Sequence, residues 1–254
     1  MKKNSLEIQH WNGTDFKSKP FEKVILPLGS LESHGFHLPF GTDALTAYLI
    51  ALDVAEKLPK TAVLPPVNYG VSEHYKDFSF TVTLQFETEI AVIRDILESV
   101  YREGIRKVFI MNGHDGNIAP IEVAARSAKV AHPDFRIVSL DAWWQMVGNV
   151  LPPDFFEVWK GLGHGGEGET SICMDLFPEL VDMSKAKGVV PVLPPHVEIK
   201  WLFKELTNTG ASGDPTKGTP AKGKKMRQVL VDTVVQILKD LDKNDWDYQS
   251  PEVK

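Results

Sequence analysis

The feature that most limits the fold of this chain is the alternation of short apolar runs with longer amphipathic segments. Four short runs each predict a buried strand, over residues 23–29, 61–67, 107–112 and 135–142. Apolar residues at helical spacing predict helices over residues 42–58, 88–104, 118–132, 168–180 and 224–243. This order predicts an α/β layer fold with a mainly parallel sheet flanked by helices.

Length, composition and charge narrow the classes of protein that the chain can belong to. The 254 residues are 43% hydrophobic, which fits a single globular domain over residues 1–254. The net charge of −6 and the lack of a basic segment argue against a nucleic-acid partner. No run approaches the roughly 20 apolar residues of a membrane span. A lone cysteine, Cys173, forms no internal disulfide, which fits a cytoplasmic location.

Histidines and acids cluster where two of the predicted strands end. Glu32 and His34 follow the first strand, and His114 follows the third. Ligands bind beyond the carboxyl ends of parallel strands, so these side chains are expected to converge at one edge of the sheet. A second cluster, in "GHGGEGETS", contains His164, Glu167 and Glu169.

These residue types are ligands for zinc, manganese or iron(II). Glu32 and His34 are two residues apart, so in an extended segment both point the same way. Asp43 lies at the start of the next helix, and its two oxygens allow it to bridge two metals. Taken alone, Asp43 is equally an acid favoured by the helix dipole, and a lone loop histidine is usually a solvated or capping residue. Their joint occurrence favours a metal site.

Other site chemistries lack their usual signals. No GxGxxG follows a strand and no GxxxxGK[ST] loop is present, so nucleotide binding is not indicated. Ser30 follows a strand, but its surroundings do not match a GxSxG nucleophile elbow.

Three motifs carry a resemblance to a known family. The stretch "LPLGSLESHGFHLPFGTD" (residues 26–43) resembles the first motif of the creatininase (creatinine amidohydrolase) family. The stretches "NGHDGN" and "HGGEGETS" resemble two further motifs, in the family's order. The weaker blocks "YGVSEH" and "GDPTKGTPAKG" extend the resemblance over almost the whole chain.

The resemblance implies a three-layer hydrolase with two divalent metal ions (Zn, Mn or Fe), often assembled as a hexamer. It implies that Asp43 bridges the metals, that His164 is the catalytic histidine, and that Glu32, His34 and His114 are further ligands. Creatininase itself has a glutamate ligand two residues after the motif histidine, where this chain has Gly116. Glu169 is expected to supply the fifth ligand in its place.

The resemblance also implies the reaction. A hydroxide held between the metals attacks a small cyclic amide or a related C–N bond. Alternatives within the family are a lactone, a cyclic ketone of sugar or inositol catabolism, a formamide and a modified peptide. Ser79 and Phe80 stand in a loop that is expected to line the substrate pocket, where relatives have Pro-Gly. Together with Gly116, this difference predicts a substrate other than creatinine.

Four side chains are expected to contact the substrate. Glu73 and His74 are expected to orient it. Trp143, Trp144 and Trp159 are expected near the mouth of the site, where they either stack on a flat ring or pack in the core. A rival hypothesis is a metal-stabilised structural protein without turnover, which predicts closed metal coordination. The presence of His164 argues against it, because a structural site does not need that residue.

Overall fold

Four parallel strands form the central sheet of the computed structural model, which describes residues 6–18, 21–192, 194, 196 and 199–247. The strands are β1 (Lys23–Leu28), β2 (Thr61–Val63), β3 (Lys107–Asn112) and β4 (Arg136–Leu140). Their spatial order is β2-β1-β3-β4, and every neighbouring pair is parallel. The predicted α/β fold with a parallel sheet is therefore confirmed.

Helices cover both faces of this sheet. Those of the described residues are α1 (Gly13–Ser18), α2 (Thr42–Glu56), α3 (Phe86–Arg102), α4 (Ile118–Ala131), α5 (Trp143–Val150), α6 (Glu167–Leu176), α7 (Phe203–Leu206) and α8 (Pro220–Lys243). No helix among them is long and apolar enough to cross a bilayer.

Alternating side chains of β1 divide the core into two layers. Leu26 packs with residues of α3 and α4 on one face of the sheet. Ile25 packs with residues of α2, α5, α6 and α8 on the other face. The three layers are thus helices, sheet and helices, as expected.

Some strands and helices end at residues other than those predicted, and prolines explain two of these differences. β2 ends at Val63, shortly before Pro65 and Pro66, which lack the N–H that a ladder needs. α6 ends at Leu176 instead of Leu180, because Phe177 precedes a proline and leaves the helical region. Helix α5 was not predicted, and it begins where the fourth predicted strand was expected to end.

Candidate metal centre

The clustered acids and histidines lie at the carboxyl ends of the two central strands. Glu32 and His34 occupy the loop after β1, and His114 directly follows the Asn-Gly end of β3. Asp43 is the second residue of α2. Because β1 and β3 are neighbours in the sheet, three separate chain segments meet at one edge, as the topology predicts.

Two glycines allow α2 to approach the strand ends. A Cβ at Gly29 would lie 2.3 Å from backbone atoms of Ala44, and one at Gly113 would lie 2.3 Å from the carbonyl oxygen of Asp43. No side chain fits at either position. The first turn of α2 therefore rests against the ends of β1 and β3, which places the Asp43 carboxylate between them.

Asp43 presents one carboxylate oxygen to each of two imidazoles. Its Oδ1 lies 2.9 Å from His34 Nε2, and its Oδ2 lies 3.1 Å from His114 Nδ1. The hydroxyl of Ser30 donates to Oδ2 over 2.8 Å and fixes the carboxylate. This is the arrangement that a bridging ligand requires.

Two groups of three ligand atoms share Asp43. One group is Glu32, Asp43 and His114, and the other is His34, Asp43 and Glu169, with the atoms of each within 4.8 Å of one another. Glu169 reaches the site from the first turn of α6. A third group joins Glu32 and His34 to His164. The first two groups offer adjacent places for two ions.

The donor set fits divalent metals. Both carboxylate oxygens of Glu32 are buried, and within the described residues neither has a hydrogen-bond partner. A buried carboxylate that accepts no hydrogen bond is costly unless a cation neutralises it. Carboxylate oxygens and imidazole nitrogens together suit zinc, manganese and iron(II).

Backbone carbonyls fix the orientation of both ligand imidazoles. His114 Nε2 lies 2.8 Å from the carbonyl oxygen of Val71, and His34 Nδ1 lies 3.2 Å from that of Glu32. A carbonyl only accepts, so these nitrogens carry the protons and donate. The opposite nitrogen of each ring faces the carboxylates and is free to bind a metal.

The charges at the site oppose the effect of burial. Burial alone would lower the pKa of His34 and His114, but Asp43 and Glu32 raise each to about 10. Burial would likewise raise the pKa of Asp43, but the two imidazoles hold it well below its usual range. Burial raises the pKa of Glu169 to about 7. Without metal, protons on the histidines offset the carboxylates, and metal binding must displace them.

His164 differs from the two ligand histidines. Its Nε2 lies 2.6 Å from the carbonyl oxygen of Ser33, while its Nδ1 lies 3.6 Å from Glu32 Oε1. Its ring lies between those of Tyr75 and His34, with centroids 4.3 and 4.1 Å away. Burial, reinforced by the positive charge of His34, holds the pKa of His164 well below its usual range. The ring is therefore neutral, with an unprotonated Nδ1 turned towards the carboxylates.

A cavity of about 260 Å³ opens above this cluster. Its walls combine acids with aromatic rings, and they include Tyr75, Asp115, Trp144, His164, Glu169 and Phe203. The volume suits a small molecule.

The structure separates the four side chains that were expected to contact the substrate. Trp144 lines the cavity, but Trp143 is 2% exposed and packs in the core, which corrects the expectation that both reach the mouth. Consecutive residues of α5 point about 100° apart, so the two indoles face different surroundings. Glu73 and His74 line a neighbouring groove beside Gly116 instead of this cavity.

The loop of Ser79 and Phe80, and Trp159, were also expected at the cavity entrance, and the structure places none of them in the cavity wall. Phe80 is 70% exposed and stacks on Phe40 with ring centroids 5.7 Å apart, away from the cavity walls. Trp159 is also absent from the described residues that line the cavity. Ser79, like Phe80, is not among them.

A side chain at residue 116 would meet the ring of His114 and the backbone of Val71. A Cβ at residue 116 would lie 2.6 Å from His114 Nε2 and 2.0 Å from the carbonyl oxygen of Val71. That nitrogen faces away from the carboxylates, whereas Glu169 belongs to the group with His34. Glu169 as the fifth ligand stays a prediction, and its place in the group with His34 and Asp43 is compatible with it.

Glu167 lies outside the cluster, although it shares the motif of His164 and Glu169. Its buried carboxylate accepts hydrogen bonds from Lys222 Nζ over 2.6 Å and from the backbone N–H groups of Glu157 and Val158 over 2.9 Å each. Glu167 therefore anchors the loop that leads to His164.

Sequence reasoning did not assign a role to several residues of the site. Ser30 stands inside the first motif and follows a strand, so its position was a usable signal. Tyr75 and Phe203 stack against each other and His164 from distant parts of the chain, and no local pattern marks them. Asp115 was visible as the residue after His114 in "NGHDGN".

Comparisons with known proteins agree on one family. The creatininase family model, described as creatinine amidohydrolase, matches residues 9–238. Creatinine amidohydrolase of Pseudomonas putida is 28% identical over 233 residues, covering 85% of this chain and 88% of the relative. Mycofactocin precursor peptide peptidase of Mycobacterium ulcerans (strain Agy99) is 29% identical, covering 84% and 82%. A solved structure of creatininase with Mn has a TM-score of 0.80 at 25% identity, covering 93% of this chain and 98% of its own.

Proposed function

The chain belongs to the creatininase family, and from that membership we propose that it is a metal-dependent hydrolase of a small cyclic amide or a related C–N bond. The observation that carries the proposal is the sharing of Asp43 by two ligand groups beside the neutral His164. The name of the Pseudomonas putida relative supports an amide as the substrate class.

Two ions would be held by this chain's own residues. Glu32, Asp43 and His114 would hold one, and His34, Asp43 and Glu169 the other. Divalent ions supply Lewis acidity, which polarises a carbonyl and lowers the pKa of water to about 7. The carbonyls of Val71 and Glu32 hold the protons on the far nitrogens of His114 and His34, so the nitrogens that face the carboxylates are the ones that would lose their protons to a metal.

His164 would move the proton. Its Nε2 donates to Ser33, which leaves Nδ1 to accept a proton from the attacking water and pass it to the leaving nitrogen. A positioned base of this kind contributes about 10²–10⁴ in rate. Stacking on Tyr75 holds the ring against rotation.

Trp144 is the side chain best placed to stack on a flat substrate ring, because its indole borders the cavity. The cavity of about 260 Å³ favours a small ring over an extended peptide. A hexameric assembly and a cytoplasmic location stay predictions, from the resemblance and from the single cysteine respectively.

A hydrolysis assay on chelated and metal-reloaded protein tests the proposal. We expect the Mn²⁺-loaded or Zn²⁺-loaded protein to hydrolyse a cyclic amide, to lose this activity on chelation and to regain it on reloading. Asp43→Asn should remove the activity. Asp95→Asn, which alters a carboxylate that is 79% exposed on α3, should leave it unchanged.

The assay panel also contains lactones, cyclic ketones and N-formyl compounds. Turnover of one of those alone would replace the cyclic amide as the substrate class. Lack of turnover on every class, with metals bound, would instead support a structural metal protein.

A further inference from the structure

Asn117 closes the motif "NGHDGN", and the proposed chemistry gives it no role. It stands at the N-cap position of α4, where an asparagine side chain normally accepts a hydrogen bond from the first turn of its own helix. Within the described residues its side chain makes no such bond, and Asn117 is fully buried. The polar atoms of this side chain therefore need partners outside α4.

Those partners belong to two segments that are distant in sequence. The Nδ2 atom of Asn117 donates to the carbonyl oxygen of Gly29 over 3.0 Å, and its Oδ1 atom accepts from the N–H of Val71 over 3.3 Å. Gly70 permits the close approach, because a Cβ there would lie 2.3 Å from Asn117 Oδ1. The side-chain amide thus ties the 70–71 segment to the end of β1 and to the start of α4.

Val71 also carries the carbonyl oxygen that lies 2.8 Å from His114 Nε2. The hydroxyl of Ser72 lies 3.3 Å from the same nitrogen. A hydroxyl donates or accepts, so it suits either tautomer of the ring, whereas a carbonyl oxygen requires a proton on Nε2. The place of the Val71 carbonyl therefore decides whether Nδ1, the nitrogen beside Asp43 and Glu32, is available as a ligand.

We propose that Asn117 is a positioning residue for metal binding: it holds Val71, so that His114 keeps a proton on Nε2 and offers Nδ1 to a metal ion. Asn117 belongs to none of the ligand groups found among the described residues, so it acts through Val71 and not by contact with an ion. This role rests on the proposed function, because it requires an ion in the group of Glu32, Asp43 and His114.

NMR of the Zn²⁺-loaded protein tests this role without turnover. Proton–nitrogen correlation spectra of the imidazoles distinguish a ring bound through Nδ1 from one bound through Nε2. We expect His114 to be bound through Nδ1, with a proton on Nε2, in the native protein and in the control Asn68→Ala, which changes an exposed asparagine of the same loop. Asn117→Ala should lose this single form, while the His34 signals stay unchanged.

Zn²⁺ affinity gives a second measurement on the same proteins. In a competition titration with a chelating indicator, we expect Asn117→Ala to weaken one of the two ions by about 10–100-fold, the effect typical of losing a partner that orients a ligand. The affinity for the other ion should stay native, as should both affinities in Asn68→Ala.

Asn117→Asp separates positioning from packing. An ionised aspartate keeps an oxygen for the N–H of Val71, but it cannot donate to Gly29 and it buries a charge. We therefore expect this variant to lower the Tm at least as much as Asn117→Ala does, yet to keep the native His114 signals. A purely structural role predicts instead that the His114 signals follow the Tm.

Several results would overturn this role. Binding of His114 through Nε2 in the native protein would do so, and that result needs no variant that folds. Native His114 signals and native Zn²⁺ affinity in Asn117→Ala would do so as well. Failure of the proposed function looks different: the His114 signals and their response to Asn117→Ala would persist, while no amide is hydrolysed.

Discussion

The Nε2 atom of His164 lies 2.6 Å from the backbone carbonyl oxygen of Ser33. Ser33 stands between Glu32 and His34, so the short segment that carries two candidate ligands also fixes the tautomer of the candidate base. Metal positions and proton transfer are thus coupled through one loop, and the coupling needs no contact between side chains.

Replacing His164 should separate catalysis from metal binding. We expect His164→Asn to lower kcat by about 10²–10⁴, because among the described residues that line the cavity no other side chain is placed as a neutral base here. Metal content, measured by elemental analysis, should stay at that of the native protein. The control His132→Asn changes a histidine that pairs with Glu98 outside the cavity and should leave kcat unchanged. Loss of metal from the His164 variant would make His164 a ligand.

The number of bound metal ions should depend on which of the two ligand groups a substitution disrupts. We expect about two ions per native chain, about one in Glu32→Gln and in Glu169→Gln, and none in Asp43→Asn, because Asp43 belongs to both groups. Elemental analysis after gel filtration gives these numbers. Unchanged stoichiometry in Glu169→Gln, or retention of both ions in Asp43→Asn, would contradict the assignment.

Glu89 should make stability depend on pH. It lies in the first turn of α3, is fully buried, and has no hydrogen-bond partner for either oxygen within the described residues. Burial raises its pKa to about 7, from an ordinary value of 4.5. The native state thus favours the neutral acid, so this contribution to stability is present below pH 4.5 and is lost as the pH rises through about 7.

Replacing Glu89 by glutamine removes this titration. The shift corresponds to about 3 kcal/mol, so Glu89→Gln should raise the Tm by roughly 6 °C or more at pH 8 and have little effect at pH 4.5. Thermal melts of both proteins across this range, with Glu87→Gln on the exposed side of the same turn as the control, give the comparison. A gain in Tm that is equal at both pH values would rule out a titrating Glu89.

Removing the Glu167 carboxylate should destabilise the protein and leave the metal ligands in place. Glu167→Gln removes the charge that pairs with Lys222, which keeps Glu157 as a partner, so the change should cost about 1.5–3 kcal/mol, or roughly 5 °C in Tm. The exposed pair of Lys57 and Asp232 provides the control, since Asp232→Asn should cost about 1 kcal/mol or less. Differential scanning calorimetry compares the two variants. An equal loss of Tm in the two variants would mean that the burial of Glu167 does not strengthen its ion pair.

The strands and the clustered acids could be predicted because both depend on local pattern. Strand β3 has the predicted bounds, since its apolar run is short and ends in Asn-Gly. The separate surroundings of Trp143 and Trp144 could not be predicted without recognising α5. The burial of Glu89 could not be predicted from the sequence either, because an acid in the first turn of a helix normally faces solvent. Long-range packing decides both cases.

The lack of space at residue 116 also limits which metal ligands this site can acquire by mutation. Because the carbonyl of Val71 fills the place of a Cβ there, a codon change from glycine to glutamate would break the loop before it added a ligand. A descendant of this chain would first need a shifted 70–72 segment, and that step alone disturbs the hydrogen bond that His114 donates to the carbonyl oxygen of Val71. The backbone around residue 116 therefore limits which ligand set this site can hold.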